Sequence, residues 1–272
     1  MQISFVKISP TQNITLFVTT PVSREMQPVV AERLLAPDGV GGEQVGFFEA
    51  PTLPGAPLRL QMMGGEFCGN ATMALGAYTA WKANLPDGAS SEYCFEISGA
   101  SEPVSCRIRR AGDAFEGTVD MPVCEDVTEA ELETDRGVVH LPVVRLPGIS
   151  HIVAPTSLAQ LSRAEIERRI RSWNGGIGAA ALGVLRYDEV EGYMEPVVYV
   201  PCTDSVVWER GCGSGTAALG CYLARRSGHS LTANVRQPGG VISVSAELNQ
   251  CRVTRLTISG RVKIVATGTA YL

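Results

Sequence analysis

The residues of this chain best placed to do chemistry are two cysteines that open the same short segment twice. Cys68-Gly69-Asn70-Ala71-Thr72-Met73-Ala74-Leu75-Gly76-Ala77-Tyr78-Thr79-Ala80 recurs 144 residues later as Cys212-Gly213-Ser214-Gly215-Thr216-Ala217-Ala218-Leu219-Gly220-Cys221-Tyr222-Leu223-Ala224, with eight of thirteen positions identical. Each copy starts with Cys-Gly, follows a polar turn-like segment (Gly64-Gly65-Glu66 and Trp208-Glu209-Arg210-Gly211) and runs into an Ala/Leu-rich stretch that reads as a helix. A duplicated fold sets its two copies about a pseudo-two-fold axis. Two thiols at matching helix starts would then face one cleft from opposite sides. Such a pair can take a proton from one face of a carbon and return one to the other.

That chemistry has definite requirements. A carbon beside a carboxylate holds its proton tightly. Inverting it without an electron-sink cofactor takes a base on one face, an acid on the other, and donors around the carboxylate. A Cys at a helix N-terminus suits the first two roles, because the positive end of the helix dipole favours thiolate. The backbone N–H groups after it suit the third, and Gly69 and Gly213 allow close approach with no Cβ in the way. A single Cys in such a place reads as a packing residue, since free Cys is among the most buried types. It is the matched pair that favours catalysis by Cys68 and Cys212. Cys94, Cys106, Cys124, Cys202, Cys221 and Cys251 lack that context and read as core or incidental.

The elements that position these cysteines are mostly strands. Residues 3–8 and 14–19 read as a strand pair around Ser9-Pro10-Thr11-Gln12-Asn13, and 23–35 as a helix weakened by Pro28. Short strands at 44–49 and 58–62 lead into the first Cys-Gly element, and strands at 95–97, 104–109 and 115–120 follow it. The acidic stretch 125–135 reads as a surface segment near the connection between halves. Beyond it come strands at 143–146 and 151–153. Ser162-Arg163-Ala164-Glu165 is a capping box that starts a helix over 164–173, which Gly175-Gly176-Ile177-Gly178 ends. Strands at 181–187 and 197–200 lead to the second Cys-Gly element, and strands at 241–247, 252–258 and 262–266 close the sheet. The expected fold is α+β with two pseudo-symmetric halves, each a curved, mostly antiparallel sheet wrapped around a central helix. The halves are 1–125, carrying Cys68, and 126–272, carrying Cys212, with the last strand returning to the first half.

Composition narrows the function classes. The chain has 272 residues, 45% of them hydrophobic, so it can bury a sizeable core. Its net charge is −5 with both signs interspersed, and no basic stripe suggests nucleic acid or a membrane surface. The first residues alternate like a strand instead of reading as a signal peptide, and no apolar stretch is long enough to span a bilayer. Eight cysteines in that setting read as cytosolic thiols. None forms a CxxC pair and the three histidines (His140, His151, His229) are scattered, which argues against a zinc site.

These motifs resemble the diaminopimelate epimerase superfamily of cofactor-independent racemases, and the match covers nearly the whole chain. Cys68-Gly69-Asn70 looks like its first catalytic element and Cys212-Gly213-Ser214-Gly215 like its second. A proline racemase would carry Cys-Gly-His at the first site, so Asn70 points to the epimerase side. Lys7 and Asn13 fall where the epimerases have an opening Lys and Gly-Asn-Asp-Phe, and His151 falls on the His of their Asn-Pro-His. The departures concern the far carboxylate of a dicarboxylic substrate. Ile149 and Ala181 stand where the epimerases have asparagines, a third falls near Met62-Met63, and the lead-in to the second Cys is cut to Glu209-Arg210-Gly211. Unpaired substrate carboxylates are costly, although Arg210 keeps a dicarboxylate in play.

A closer resemblance is to the histidine racemases of staphylopine-type metallophore biosynthesis. It rests on Glu43-Gln44-Val45-Gly46-Phe47, Gly65-Glu66-Phe67-Cys68-Gly69-Asn70-Ala71-Thr72-Met73, Gln237-Pro238-Gly239-Gly240, and Val265-Ala266-Thr267-Gly268. The resemblance implies a cofactor-independent, cytoplasmic racemase of a monocarboxylic amino acid, histidine first. It implies no metal, no nucleic-acid or membrane partner, and leaves a homodimer open. Beside Cys68 and Cys212, the expected substrate-binding residues are Asn13, Glu43, Gln44, Gly69, Asn70, Glu209, Gly213 and Ser214. Glu43, helped by Gln44, is expected to reach the substrate's amino group or imidazole. Asn13 and Glu209 read equally well as a turn cap and a surface charge. His151 reads as structural. Two other functions stay open: an isomerase or dehydratase on the same fold with one active-site acid, and a binding protein whose thiols are structural.

Overall fold

The computed structural model describes residues 1–54 and 56–272. It divides into two compact units: Met1–Asp120 with Ser259–Leu272, and Met121–Ile258. Along the chain lie β1 (Gln2–Pro10), β2 (Thr15–Val18), α1 (Gln27–Leu35), β3 (Gln44–Glu49), β4 (Arg59–Met62), α2 (Gly69–Lys82), β5 (Ser90–Ile97), β6 (Val104–Ala111) and β7 (Ala114–Asp120). Then come β8 (Asp126–Thr134), β9 (Gly137–Leu146), β10 (Ile149–Pro155), α3 (Arg163–Ile177), β11 (Leu182–Asp188), β12 (Tyr193–Val200), β13 (Ser205–Trp208), α4 (Gly213–Ser227), β14 (Leu231–Gln237), β15 (Gly240–Asn249) and β16 (Arg252–Tyr271). No helix among the described residues is long and apolar enough to cross a membrane.

In the first unit the strands run in the order β1 to β7, and β16 pairs with both β7 and β1, so the ring closes. Most pairings are antiparallel, but β2–β3 and β4–β5 are parallel. Parallel neighbours need a crossover, which α1 and α2 supply. α1 packs on one face over Ile3, Leu16, Val18, Val45 and Phe47. α2 is apolar on nearly every side, with ten of its fourteen residues buried, as befits a helix surrounded by sheet.

The second unit repeats this succession of steps. β8–β9, β9–β10, β11–β12, β12–β13 and β14–β15 are antiparallel, while β10–β11 and β12–β14 are parallel and bridged by α3 and α4. α3 is amphipathic and packs Ile166, Ile170 and Trp173 against Leu141, Ile152, Val184 and Val197. α4, like α2, has ten buried residues.

Several boundaries depart from expectation for local reasons. α1 starts at Gln27, because Pro28 fits the first turn of a helix, where no N–H is needed. Residues 126–134, expected as a surface segment, form β8: Leu132 and Thr134 are buried while the acidic side chains alternate outward. α3 runs through Gly175 and Gly176 to Ile177, and Gly178 closes it at φ 71°. Residues 231–237, not read as a strand, form β14, whose mixed polar sequence hides an alternation that reaches full burial only at Val235 and Gln237.

Both central helices carry a glycine eight residues after the Cys, and both need it. A Cβ on Gly76 would lie 2.8 Å from Cys106 Sγ and Ile108 Cγ1, and one on Gly220 would lie 2.5 Å from Val244 Cγ2. These glycines let the helix axis approach the sheet. Gly220→Ala gains about 1 kcal/mol of helix propensity, but overpacking a stiff β-branched neighbour costs ~1–3 kcal/mol. We expect a net loss of stability, seen as a lower urea midpoint at unchanged slope. An unchanged or higher midpoint would contradict this packing.

Candidate active site

Each Cys is the N-cap of its central helix. Cys68 and Cys212 adopt extended backbone (φ −135°, ψ 108° and φ −105°, ψ 109°), and each sulfur accepts from the N–H three residues on: Ala71 at 3.4 Å and Gly215 at 3.2 Å. Thr72 and Thr216, both fully buried, donate their hydroxyls back to the Cys carbonyl oxygens at 2.9 and 2.6 Å. Two cap bonds are thus built the same way from the same positions of the repeat. The N–H groups three and four residues after each Cys are spent on the Cys itself, the first on its sulfur and the second on its carbonyl oxygen. By helix geometry the earlier N–H groups point along the axis, toward an anion.

In the first unit Cys68 sits half-buried on a polar floor. Glu43 and Gln44 enter from the start of β3, Thr15 from the start of β2, and Asn13 from the β1–β2 turn. Thr15 and Gln44 are cross-strand partners, which brings their side chains together. Asn13 Nδ2 donates to Glu43 Oε2 at 2.6 Å. Asn13 Oδ1 accepts from Gln44 Nε2 at 2.7 Å and from Asn70 Nδ2 at 3.2 Å. Gln44 Nε2 also reaches Thr15 Oγ1 at 2.8 Å, and the Cys68 thiol donates to Gln44 Oε1 at 3.3 Å. Five sequence-expected residues, Asn13, Glu43, Gln44, Cys68 and Asn70, therefore form one network. Lys7 donates to the Val40 carbonyl at 3.2 Å.

In the second unit Cys212 is buried. Ser214 Oγ lies 3.5 Å from its sulfur and 3.1 Å from His151 Nε2. Burial pushes the Cys212 thiol well up, and the Glu209 carboxylate beside it pushes the same way. The Ser214 hydroxyl and the Gly215 N–H oppose both. The Cys212 N–H donates to Gln237 Oε1 at 2.7 Å, and Gln237 Nε2 donates to Thr216 Oγ1 at 2.7 Å, so one side chain pins the helix start. Arg210 reaches the Pro238 carbonyl at 3.2 Å, and the Gly239 N–H reaches the Arg210 carbonyl at 2.6 Å.

His151 is fully buried, and burial lowers its imidazole pKa to about 3. Its Nδ1 has no hydrogen-bond partner and faces Gly183, where a Cβ would come within 2.0 Å. An orphaned N–H costs more than an orphaned lone pair, so the proton belongs on Nε2, where it serves Ser214. A histidine kept neutral has a stability consequence. The unfolded chain takes up a proton at this side chain near pH 6.5 and the folded chain only near pH 3. Stability is therefore lost as pH falls through that window, by about 1.4 kcal/mol per pH unit from this residue. His151→Gln should flatten the acid limb of unfolding free energy against pH between those values. Equal slopes in both proteins would contradict it.

Sequence reasoning passed over Thr15, Thr72, Thr216 and Gln237. Thr72 and Thr216 were findable, since they are identical positions of the repeat. Gln237 was hidden in Gln237-Pro238-Gly239-Gly240, which reads as a turn. Of the Met62-Met63 pair, Met62 is wholly buried and Met63 is exposed, so only Met63 is free to meet a ligand. Among the other cysteines, Cys94, Cys202 and Cys251 are exposed and Cys106 is buried. Cys124 is half-buried, and its hydrogen bond with the buried Cys221 brings its thiol down to about 7.

The chain is 29% identical over 273 residues to the histidine racemase of Staphylococcus aureus (strain Mu50 / ATCC 700699), covering 99% of this chain and 98% of that one. It is also 29% identical over 274 residues to the histidine racemase of Fusobacterium nucleatum subsp. nucleatum (strain ATCC 23726), covering 99% and 97%. Its fold is similar to that of a hydroxyproline epimerase from Agrobacterium vitis, with a TM-score of 0.72 at 12% identity over 100% of this chain and 93% of that one. The family model for the histidine racemase CntK N-terminal domain matches residues 2–271, and the chain belongs to that family.

Proposed function

We propose that the protein is a cofactor-independent histidine racemase in which Cys68 and Cys212 act on opposite faces of one Cα. The observation that carries this reading is the repeated cap: two thiols, each the N-cap of a buried helix, each held by the N–H three residues on and by a Thr four residues on. In each direction one cysteine, as thiolate, takes the Cα proton while the other, as thiol, supplies a proton from the far side. The electron pair of the broken C–H bond is held as a carboxylate-stabilised carbanion until the new C–H bond forms. The substrate carboxylate belongs at the N–H groups of the helix starts, beginning at Gly69 and Gly213, where dipole and donors are fixed in advance. The two units are then halves of a duplicated fold, each a curved sheet around its central helix.

The remaining contacts follow from charge. Glu43, joined to Cys68 through Asn13 and Gln44, and Glu209, beside Cys212, would take the ammonium and the imidazole. Asn13 holds Glu43 and is itself held by Asn70 and Gln44, and Ser214 lies beside Cys212. Family membership and the histidine racemases matched over the full chain support histidine as substrate. The test is loss of optical rotation from L-histidine with purified protein and nothing added. The reading predicts decay to zero rotation from either enantiomer. Binding of histidine with no loss of rotation would leave a binding protein in its place.

A further inference from the structure

We propose that Gln44 is a positioning residue for Cys68, whose side-chain carbonyl holds the thiol hydrogen in the substrate-free protein. The inference rests on Cys68 being a reacting thiol, and it assigns Gln44 to the sulfur instead of to the substrate.

The hydrogen bonds that lead from Glu43 to Cys68 take their direction from one end. A carboxylate only accepts, so Asn13 must present its Nδ2 to Glu43, at 2.6 Å. That turns Asn13 Oδ1 the other way, and it accepts from Asn70 Nδ2 and Gln44 Nε2. The Thr15 hydroxyl spends its hydrogen on the Asn13 carbonyl at 3.2 Å and so offers a lone pair, which the second Gln44 Nε2 hydrogen takes at 2.8 Å. Both amide hydrogens of Gln44 are then used. Only Oε1 remains, and it lies 3.3 Å from Cys68 Sγ. An amide oxygen cannot donate, so the sulfur must.

Two things follow. Gln44 has no donor left for a substrate carboxylate, and its oxygen opposes negative charge on Cys68. Thr15 and Asn13 are buried and Gln44 starts a strand, so the amide cannot turn without breaking bonds that water cannot replace. Cys68 is thereby held as the proton donor of the resting protein and aimed by a rigid partner.

The test uses two substitutions of opposite sign on full-length, substrate-free protein. Cys68 alkylation by iodoacetamide is followed peptide by peptide, with the exposed Cys94 as internal reference. Gln44→Met keeps the length and removes the acceptor, so Cys68 should react about fivefold faster or more, the scale of one hydrogen bond. Gln44→Glu puts an anion beside the sulfur and should slow the reaction below wild type, because thiolate is the reactive form. Mere loosening of the loop would speed both. Gln44→Met at or below the wild-type rate, or Gln44→Glu above it, overturns the proposal, and either variant decides it alone. With histidine, Gln44→Met should lower kcat about tenfold while KM stays within about threefold; a rise in KM alone would mean that Gln44 binds substrate after all. The alkylation arm needs no substrate, so it separates failure of this inference from failure of the racemase assignment.

Discussion

Replacing either thiol by a hydroxyl should all but stop racemisation. For Cys68→Ser and for Cys212→Ser we expect a loss of about 10³-fold or more in kcat in both directions, within the range that a positioned acid or base supplies. Serine is far less acidic than cysteine and a poor base at neutral pH. The fold should not suffer. Each Cys already caps its helix through the N–H of Ala71 or Gly215, and serine is a preferred N-cap. Thermal unfolding should therefore hold its midpoint while activity vanishes. Either variant retaining near wild-type turnover would end the two-thiol account. Loss of activity together with the fold would show instead that the thiols are packing residues.

The second large effect concerns substrate choice. L-histidine should be turned over with a kcat/KM about 10²-fold or more above that for meso- or LL-diaminopimelate, because a distal carboxylate left without donors must lose its water. On the resemblance to diaminopimelate epimerases, the positions expected to offer amide donors hold Ile149, Ala181 and the Met62-Met63 pair, of which Met62 is buried. Glu43→Ala should raise KM or lower turnover for histidine. It removes the acceptor that orients Asn13 and, through it, Gln44. A preference for diaminopimelate would show that Arg210 or another donor restores the dicarboxylate site.

Much of this was legible in the sequence because the repeat is local. The Cys-Gly pair, the small residues behind it and the glycine at the eighth position after each Cys specify a capped, buried helix by short-range rules alone. The same holds for the capping box at Ser162, whose side chain accepts from the Glu165 N–H at 3.2 Å. What escaped depends on pairing that the residue types do not announce. Residues 126–134 look acidic and solvated, yet they pair with Gly137–Leu146 as one arm of a hairpin. Gln237 meets Cys212 across 25 residues and Gln44 meets Cys68 across 24, and no spacing rule announces either bond. His151 was legible as structural. Its bond to Ser214, 63 residues on, was not.

The central claim is that two thiols serve one carbon, and the most direct measurement follows deuterium at Cα during the first turnovers of L-histidine in D₂O, with no cofactor added. When one thiol removes the proton and another delivers its own exchanged one, the D-histidine formed carries solvent deuterium at Cα from the start, while recovered L-histidine keeps its protium. The same should hold with the enantiomers exchanged. D-histidine retaining the substrate's own hydrogen, or deuterium entering both pools equally at early times, would point to a single base working on both faces and would contradict the account.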